Sequence, residues 1–512
     1  MAVSTNQVAQ SETIGAPVGG WNARDSLAAM PPTDAVYLTN WWPSLGSVNV
    51  RNGYSNFATG LPDQVETLMP YAGGTTDKFF AVSNKAIYDI TAGGVAGGAV
   101  VSGLSNSRFQ YTQISNVGGS YLMAVNGQDK LRYYDGTTWS ADGGTYTITG
   151  VDTSTVANIL LFKNRIWLLQ GNSLNAYYLP TNAIQGAVSA FPLQGVARMG
   201  GYLVAAMTWT IDAGYGMDDQ LVFVTSKGEV IVYGGTDPTT LSTFSLIGVW
   251  QLGAPVGRRC FQKYGGDVIL ISQDGIVPLA AGLQSDRLDP RVTLTNKIQF
   301  AVSTAVTTYG SNFGWDVTYF AKANMLVLNV PVAVGQQQQY VMNTISQAWC
   351  NFTGWNANCF MIWKDLLYFG GNTVIGQAWN TQADAGTNIV ADGKGAFTYA
   401  GAPTMVKRFT MMRPYLITNG GTPGLQAAVN MDFDDSNPYL AASLNPTPAL
   451  GGTWGSGKWG TMLWGTSQQI QKNWQGVVGT GYSVAPRLKA VTNGLTAQWM
   501  ATDLVFEPGA IL

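Results

Sequence analysis

The sequence predicts an all-β fold: a β-propeller of six to eight blades, with an N-terminal arm and a C-terminal β-sandwich-like domain. Three observations support this prediction. A hairpin of two short apolar runs recurs along the chain, the hairpins follow one another at a similar spacing, and 62 Gly and 21 Pro residues supply many turns. A period of about 40–50 residues in a β-rich chain is typical of propeller blades, each a four-stranded sheet.

The hairpin that begins at Tyr121 shows the repeated unit most clearly. An apolar run to Val125 is followed by Asn126 and Gly127, and a second, aromatic run ends near Trp139. Asn and Gly tolerate positive φ angles, so the chain can reverse direction there. Comparable first strands start near residues 78, 121, 165, 221, 268, 325 and 366, which are 41 to 57 residues apart. A large β-sandwich is the alternative, but seven similar hairpins in order favour the propeller.

The pattern divides the chain into three segments. Residues 1–56 form an N-terminal arm and docking segment, in which Thr33 or Asp34 caps a predicted short helix that runs through Leu38. Residues 57–380 contain the hairpins and form the propeller. Residues 381–512 have longer alternating strands, which indicate a sandwich-like β domain with a Trp- and Gly-rich loop.

Charged residues make up only 11% of the chain, against about 25% in an average globular protein. The surface must therefore carry mostly neutral polar side chains, together with some of the 17 Trp and 23 Tyr residues. Tyr and Trp are enriched at interfaces, because each combines an apolar body with a polar tip. We interpret this composition as that of a subunit in a permanent assembly. A polar extracellular β protein is the alternative.

The net charge of −2 gives no basic footprint for nucleic-acid recognition. No run of 18 apolar residues occurs, so no membrane span is expected. The first positively charged side chain is Arg24, and we therefore expect no signal peptide. The three cysteines, Cys260, Cys350 and Cys359, have apolar or aromatic neighbours and are expected to be buried thiols.

Histidine is absent from the chain, which removes the most common general base and metal ligand. No cluster with the spacing of a metal site stands out, and no cofactor motif is present. We therefore predict no catalytic, cofactor-binding or metal-binding residues and no enzymatic activity. A glycosidase would need only two carboxylates, but no such pair stands out.

Four motifs lie close together near the N-terminus. They are Gly-Gly-Trp-Asn-Ala-Arg-Asp at 19–25, Met-Pro-Pro-Thr-Asp-Ala at 30–35, Asn-Trp-Trp-Pro at 40–43 and Val-Arg-Asn-Gly-Tyr at 50–54. Together they resemble the start of tail proteins from short-tailed (podovirus-like) bacteriophages, a family called tail hub, tail nozzle or head-to-tail stabilisation protein. The resemblance continues more weakly through the hairpins, the aromatic run 349–355 and the C-terminal tail.

The resemblance implies a structural virion protein of the tail, synthesised in the host bacterial cytoplasm. Its copies would form a homohexameric ring below the portal and the adaptor, or connector, ring. This ring would extend the DNA ejection channel and dock tail fibres or spikes. Double-stranded DNA would pass through the lumen without sequence recognition. A propeller that binds carbohydrate, or a glycosidase-type tail component, is the alternative function.

Indoles and charged residues in the N-terminal motifs and the Trp-rich loop are the candidate interface residues. Three indoles lie within 22 residues of the docking segment, which is too short to bury them alone, so we expect them to pack against the propeller rim or a neighbouring chain. The candidates are Trp21, Arg24, Asp25, Trp41, Trp42, Arg51, Trp454, Trp459 and Trp464.

Overall fold

The computed structural model describes residues 9–74, 76–212, 217–240, 242–283, 290–401, 403–434, 444–447 and 468–509. Within these ranges, small antiparallel sheets follow one another along the chain in a β-propeller arrangement. This result confirms the predicted all-β fold class. Strand pairing in the described ranges gives seven successive sheets between residues 53 and 381, a number inside the predicted range of six to eight.

The first four sheets have four strands each. In chain order, their strands are Val65–Tyr71, Lys78–Ser83, Ala86–Asp89 and Ala99–Val101; Gln110–Asn116, Gly119–Val125, Arg132–Tyr134 and Trp139–Ala141; Val156–Phe162, Arg165–Gln170, Asn175–Tyr178 and Ser189–Pro192; Leu203–Asp212, Met217–Thr225, Glu229–Gly235 and Phe244–Gln251. Three short strands add parallel pairs beside them, namely Gly94–Val95, Ile148–Thr149 and Gly186–Ala187.

The last three sheets differ from this plan. The fifth has three strands, the sixth continues into a larger sheet, and the seventh takes one strand from the N-terminal segment. Their strands are Phe261–Tyr264, Asp267–Ser272 and Gly275–Pro278; Asp316–Phe320, Met325–Ala333, Gln336–Asn343 and Trp349–Phe352; Cys359–Trp363, Leu366–Gly370, Ile375–Thr381 and Gly53–Thr59.

All seven predicted hairpins form, because their turn residues can adopt the required backbone angles. In the first sheet, Asn84 and Lys85 have φ angles of 45° and 59°, so two residues suffice to reverse the chain. In the second sheet the connection is longer. There, the Asn126 side chain accepts hydrogen bonds from the amides of Gln128 and Asp129, which stabilises the turn.

The ring is closed by a strand from the N-terminal segment. Gly53–Thr59 pairs antiparallel with Ile375–Thr381 and supplies the outer part of the seventh sheet. The predicted boundary between residues 56 and 57 therefore lies inside a strand. Because this pairing joins residues far apart in sequence, the propeller is complete only when both ends of the 53–381 segment have folded.

The sixth propeller sheet continues into the C-terminal region as one nine-stranded sheet. Beyond Trp349–Phe352, its order is Asp34–Thr39, Ile389–Gly395, Val484–Thr492 and Gly424–Met431, with Gly20–Trp21 at the side. A second sheet faces it, and the two share one hydrophobic core. The strands of the second sheet are Gln10–Gly15, Trp41–Pro43, Val48–Val50, Lys407–Thr418, Gln469–Gln471, Gln475–Gly481 and Ala497–Pro508.

The predicted short helix from Thr33 or Asp34 through Leu38 is wrong, since Asp34–Thr39 is a strand. Val, Tyr and Thr in this segment favour extended backbone, and pairing with Ile389–Gly395 provides its hydrogen bonds. The Asp34 side chain accepts from Asn22 instead of capping a helix.

A helix that the pattern did not predict, Gln299–Tyr309, packs Val302 and Ala305 into the core of the fifth and sixth sheets. The remaining short helices are Leu279–Gly282, Thr153–Thr155, Pro290–Val292, Asn296–Ile298 and Ala321–Ala323.

Candidate functional site

The N-terminal motifs meet the propeller and the C-terminal sheets around one buried arginine. Arg51 follows the strand Val48–Val50, and its side chain has no exposed surface. Its Nη1 and Nη2 atoms donate to the two carboxylate oxygens of Asp384 at 2.8 and 2.6 Å. Nε donates to Asn40 Oδ1, and the remaining N–H groups donate to the carbonyls of Asn52 and Thr353. All five donors of the guanidinium group are therefore used.

Aromatic rings surround this ion pair. The Arg51 guanidinium carbon lies 5.1 Å from the ring centre of Trp355 and 5.6 Å from that of Phe352. Trp42 packs edge-on against Trp379 at 5.6 Å. We call this cluster the joint, because it connects the N-terminal segment, the propeller and the C-terminal sheets. Its members are Asn40, Trp41, Trp42, Arg51, Phe352, Thr353, Trp355, Trp379, Asp384 and Trp499.

Two of the three predicted indoles are buried in the joint. Trp41 is 0% exposed and packs against Trp499 of the last strand, with ring centres 5.6 Å apart. Trp42 is 7% exposed. Trp21 is half-buried and contacts Tyr340 of the sixth propeller sheet edge-to-face at 5.1 Å. The expected packing against the propeller is therefore present within a single chain.

Arg24 and Asp25 belong to a second polar cluster outside the joint. Arg24 Nε donates to Asp25 Oδ1 at 2.7 Å, and this bond, with another from Asn22, lowers the pKa of Asp25 to about 2. Asn22 also donates to Asp34, whose other oxygen accepts from Lys297 at 2.7 Å. The cluster fixes the 22–34 loop to the short helix Asn296–Ile298, which lies between the fifth and sixth sheets.

The outcome for the nine candidate residues is mixed. Trp41, Trp42 and Arg51 lie together in the joint and are covered by their own chain. Arg24 and Asp25 lie outside the joint, and their side chains are 42% and 24% exposed. Trp454, Trp459 and Trp464 lie outside the described residues. Contact of any of the nine with a neighbouring chain stays a prediction.

Sequence reasoning missed Asp384, the acidic partner of Arg51. It lies 333 residues away, in a connection that has no motif of its own. The one sequence feature that points to this ion pair is the glycine at 354, next to Thr353. A Cβ there would lie 2.7 Å from Asp384 Oδ2 and 3.0 Å from Arg51 Nη2, so the ion pair leaves no room for a side chain.

A cavity of about 1250 Å³ lies at one end of the propeller, apart from the joint. Six of the seven sheets, or the loops beside them, contribute to its wall. Four cationic and two acidic side chains line it, namely Lys85, Arg108, Arg258, Arg259, Asp63 and Glu66. The wall therefore has a net charge of +2, although the whole chain has −2.

Two of the cavity arginines hold propeller sheets together. Arg108 Nε donates to Glu66 at 2.9 Å, and its guanidinium group lies over the Phe313 ring at 4.2 Å. Arg259 Nη2 donates to Glu66 O and Thr67 Oγ1 in the first sheet. These contacts connect the first, second, fifth and sixth sheets near the centre of the propeller.

A buried carboxyl group lies close to Arg259. Asp316 is 7% exposed, and its Oδ2 accepts a hydrogen bond from the Phe360 amide at 3.2 Å. Burial raises the pKa of Asp316 to about 6, and the positive charge of Arg259 opposes this rise. The carboxyl group packs between the sixth and seventh sheets.

No group of three or more acidic or cysteine side chains within the described ranges is arranged to hold a metal ion. All three cysteines are buried free thiols, as predicted, and burial raises the pKa of Cys260 and Cys359 to about 12. Among the described helices, none has the length and apolarity needed to cross a membrane.

Comparison with known proteins gives a likeness of fold only. No family model and no curated protein matches the sequence. Among solved structures, BBS1N from its complex with ARL6DN is 9% identical, with a TM-score of 0.39, over 66% of this chain and 100% of that chain. The Swd1 β-propeller domain of Myceliophthora thermophila is 13% identical, with a TM-score of 0.37, over 65% and 99%. Raptor of Chaetomium thermophilum is 10% identical, with a TM-score of 0.35, over 68% and 29%.

Proposed function

We propose that this chain is a non-enzymatic structural subunit of a short-tailed bacteriophage tail, of the nozzle or hub type. In this role, six copies form a ring below the portal and adaptor rings. The ring extends the DNA ejection channel and docks fibres or spikes. The observation that carries the proposal is the group of four motifs at 19–54, which resembles the start of these tail proteins.

The position of these motifs within the chain is consistent with such a role. Their residues build the joint, and the sixth propeller sheet runs without interruption into the C-terminal sheets. Backbone hydrogen bonds and a shared core then keep the propeller in a fixed position relative to the C-terminal sheets. A subunit of a pressurised channel needs this rigidity, because its neighbours on both sides must stay aligned.

The surface chemistry favours an assembly as well. Leu246 and Ile247 are consecutive residues of the outer strand Phe244–Gln251 and are 43% and 48% exposed. This strand forms one edge of the fourth sheet, so its unpaired backbone groups adjoin exposed apolar side chains. Edges of this kind promote association unless a neighbouring molecule covers them.

The decisive experiment is cryo-electron microscopy of the particle that contains this chain, together with native mass spectrometry of the purified protein. We expect a six-fold ring of propellers between the adaptor ring and the tail tip, and a stable oligomer in solution. A purified chain that stays monomeric and is absent from tails would contradict the proposal. Release of reducing ends from host surface polysaccharide would instead favour the glycosidase alternative.

A further inference from the structure

The turns of the first three propeller hairpins line the cavity, and their residues do not belong to the joint. Asn84, Asn126 and Asn172 lie in the turns of the first three sheets, and all three line the cavity wall. The side chains of Asn84 and Asn172 make no hydrogen bond within the described residues, whereas Asn126 binds Asp129. The wall contains eight side-chain amides and seven side-chain hydroxyls in all. Such groups can exchange hydrogen bonds with a ligand that has many hydroxyl groups.

Arg258 is a cavity cation that the fold does not use. Unlike Arg108 and Arg259, it has no acidic partner and no hydrogen bond in the described part of the chain. A Cβ on Gly127 would lie 3.6 Å from Arg258 Nη1, which places the guanidinium group over the second hairpin turn. The side chain is open to the cavity, but the surrounding wall and the nearby Arg108 lower its pKa. Its donors are therefore available to an anion, and binding one would relieve the repulsion from Arg108.

The size and lining of the cavity restrict the ligand. A volume of about 1250 Å³ is far larger than one ion needs and slightly exceeds the usual range of small-molecule pockets. Amide, hydroxyl and charged side chains together outnumber the apolar side chains of the wall, so a peptide would find little room for buried anchors. The half-buried Phe313 and the exposed Tyr202 nevertheless offer aromatic surface beside the arginines.

We propose that this cavity binds an oligosaccharide that bears carboxylate groups, with Arg258 as the main contact for a carboxylate. A guanidinium group binds a carboxylate through two parallel hydrogen bonds. The free amides of Asn84 and Asn172 then contact sugar hydroxyls, and Tyr202 packs against a sugar ring. The site is independent of the place of the subunit in a tail, since it is formed within one propeller.

The test is isothermal titration calorimetry of the full-length protein at low ionic strength. The probes are trigalacturonate, its neutral methyl ester and inorganic phosphate. We expect trigalacturonate to bind, and the methyl ester to bind at least tenfold more weakly. Because one charge-assisted hydrogen bond contributes about 1.5–3 kcal/mol, Arg258→Gln should weaken binding by about tenfold or more. Lys322→Gln removes an exposed cation elsewhere and should leave affinity unchanged.

Several results would overturn the assignment. They are no binding of trigalacturonate at millimolar concentration, equal affinity for its methyl ester, or equal binding by Arg258→Gln and wild type. Phosphate that binds as tightly as trigalacturonate and depends on Arg258 would indicate a general oxyanion site and would also reject the saccharide. The unfolding midpoint of Arg258→Gln, expected to equal that of wild type, verifies that the variant is folded.

Discussion

Replacing Arg51 with methionine tests whether the joint stabilises the whole chain. The substitution keeps most of the side-chain volume but removes five hydrogen-bond donors and one charge. It leaves Asp384, whose side chain is 9% exposed, as a buried carboxylate without its cation. Removing one partner of a buried ion pair costs about 3–5 kcal/mol, mainly through the unpaired charge that remains. We expect Arg51→Met to lower the free energy of unfolding by about this amount.

The assay is urea unfolding followed by tryptophan fluorescence, because Trp355 lies beside the guanidinium group and Trp42 packs against Phe352, so both indoles report on the joint. Lys130→Met is the matched control. The Lys130–Asp152 pair has a similar N–O distance of 2.8 Å, but its side chains are 52% and 57% exposed. Exposed pairs contribute less than about 1 kcal/mol, so this control should change stability little.

A double variant separates two contributions to the loss of stability. One is the missing attraction between Arg51 and Asp384, and the other is the unpaired charge that Asp384 keeps in Arg51→Met. If the orphaned carboxylate causes most of the loss, then Arg51→Met with Asp384→Asn should be more stable than Arg51→Met alone. Equal destabilisation by Arg51→Met and Lys130→Met would refute the reasoning. That result would mean that the joint tolerates an unpaired carboxylate because water reaches it.

Three further predictions follow from the site geometry and the composition. Because the pKa of Asp316 is raised from 3.8 to about 6, its folded form retains a proton that the unfolded chain releases. Wild type should therefore lose up to about 3 kcal/mol relative to Asp316→Asn as pH rises from 4 to 7, measured by urea unfolding at each pH. Gly354→Ala should lower the unfolding midpoint more than Gly386→Ala, since both positions have positive φ but only a Cβ at 354 would clash. With 27 basic and 29 acidic residues, the purified protein should show no strong, salt-sensitive binding of double-stranded DNA in a gel-shift titration; such binding would contradict a neutral channel wall.

The propeller could be predicted because its signals are local. Each hairpin combines apolar runs with turn residues that lie next to them in sequence, as at Asn84 and Lys85, where both φ angles are positive. These signals do not depend on how the rest of the chain folds. The alternating pattern after residue 400 is local in the same way, since Lys407–Thr418 alternates between buried and less buried residues over most of its length.

The errors arise where distant residues decide the local structure. Asp34–Thr39 has a plausible helix cap in sequence, but its backbone pairs with Ile389–Gly395, more than 300 residues away. The same distance hides Asp384 from any reading of the motif around Arg51. Tertiary pairing outweighs a local cap signal when a strand lies in the middle of a sheet, because all of its backbone groups then require partners.

The continuous nine-stranded sheet changes how the division into domains should be understood. Asp34–Thr39 lies between the propeller strand Trp349–Phe352 and the C-terminal strand Ile389–Gly395, and pairs with both. The N-terminal segment therefore supplies the strand that joins the two bodies, as well as the strand Gly53–Thr59 that closes the propeller. Closure of the propeller and attachment of the C-terminal sheets therefore depend on two strands of the same short segment. Arg51 lies between these two strands in sequence, and its hydrogen bonds to Thr353 and Asp384 connect this segment to residues beyond both of the propeller strands that it joins.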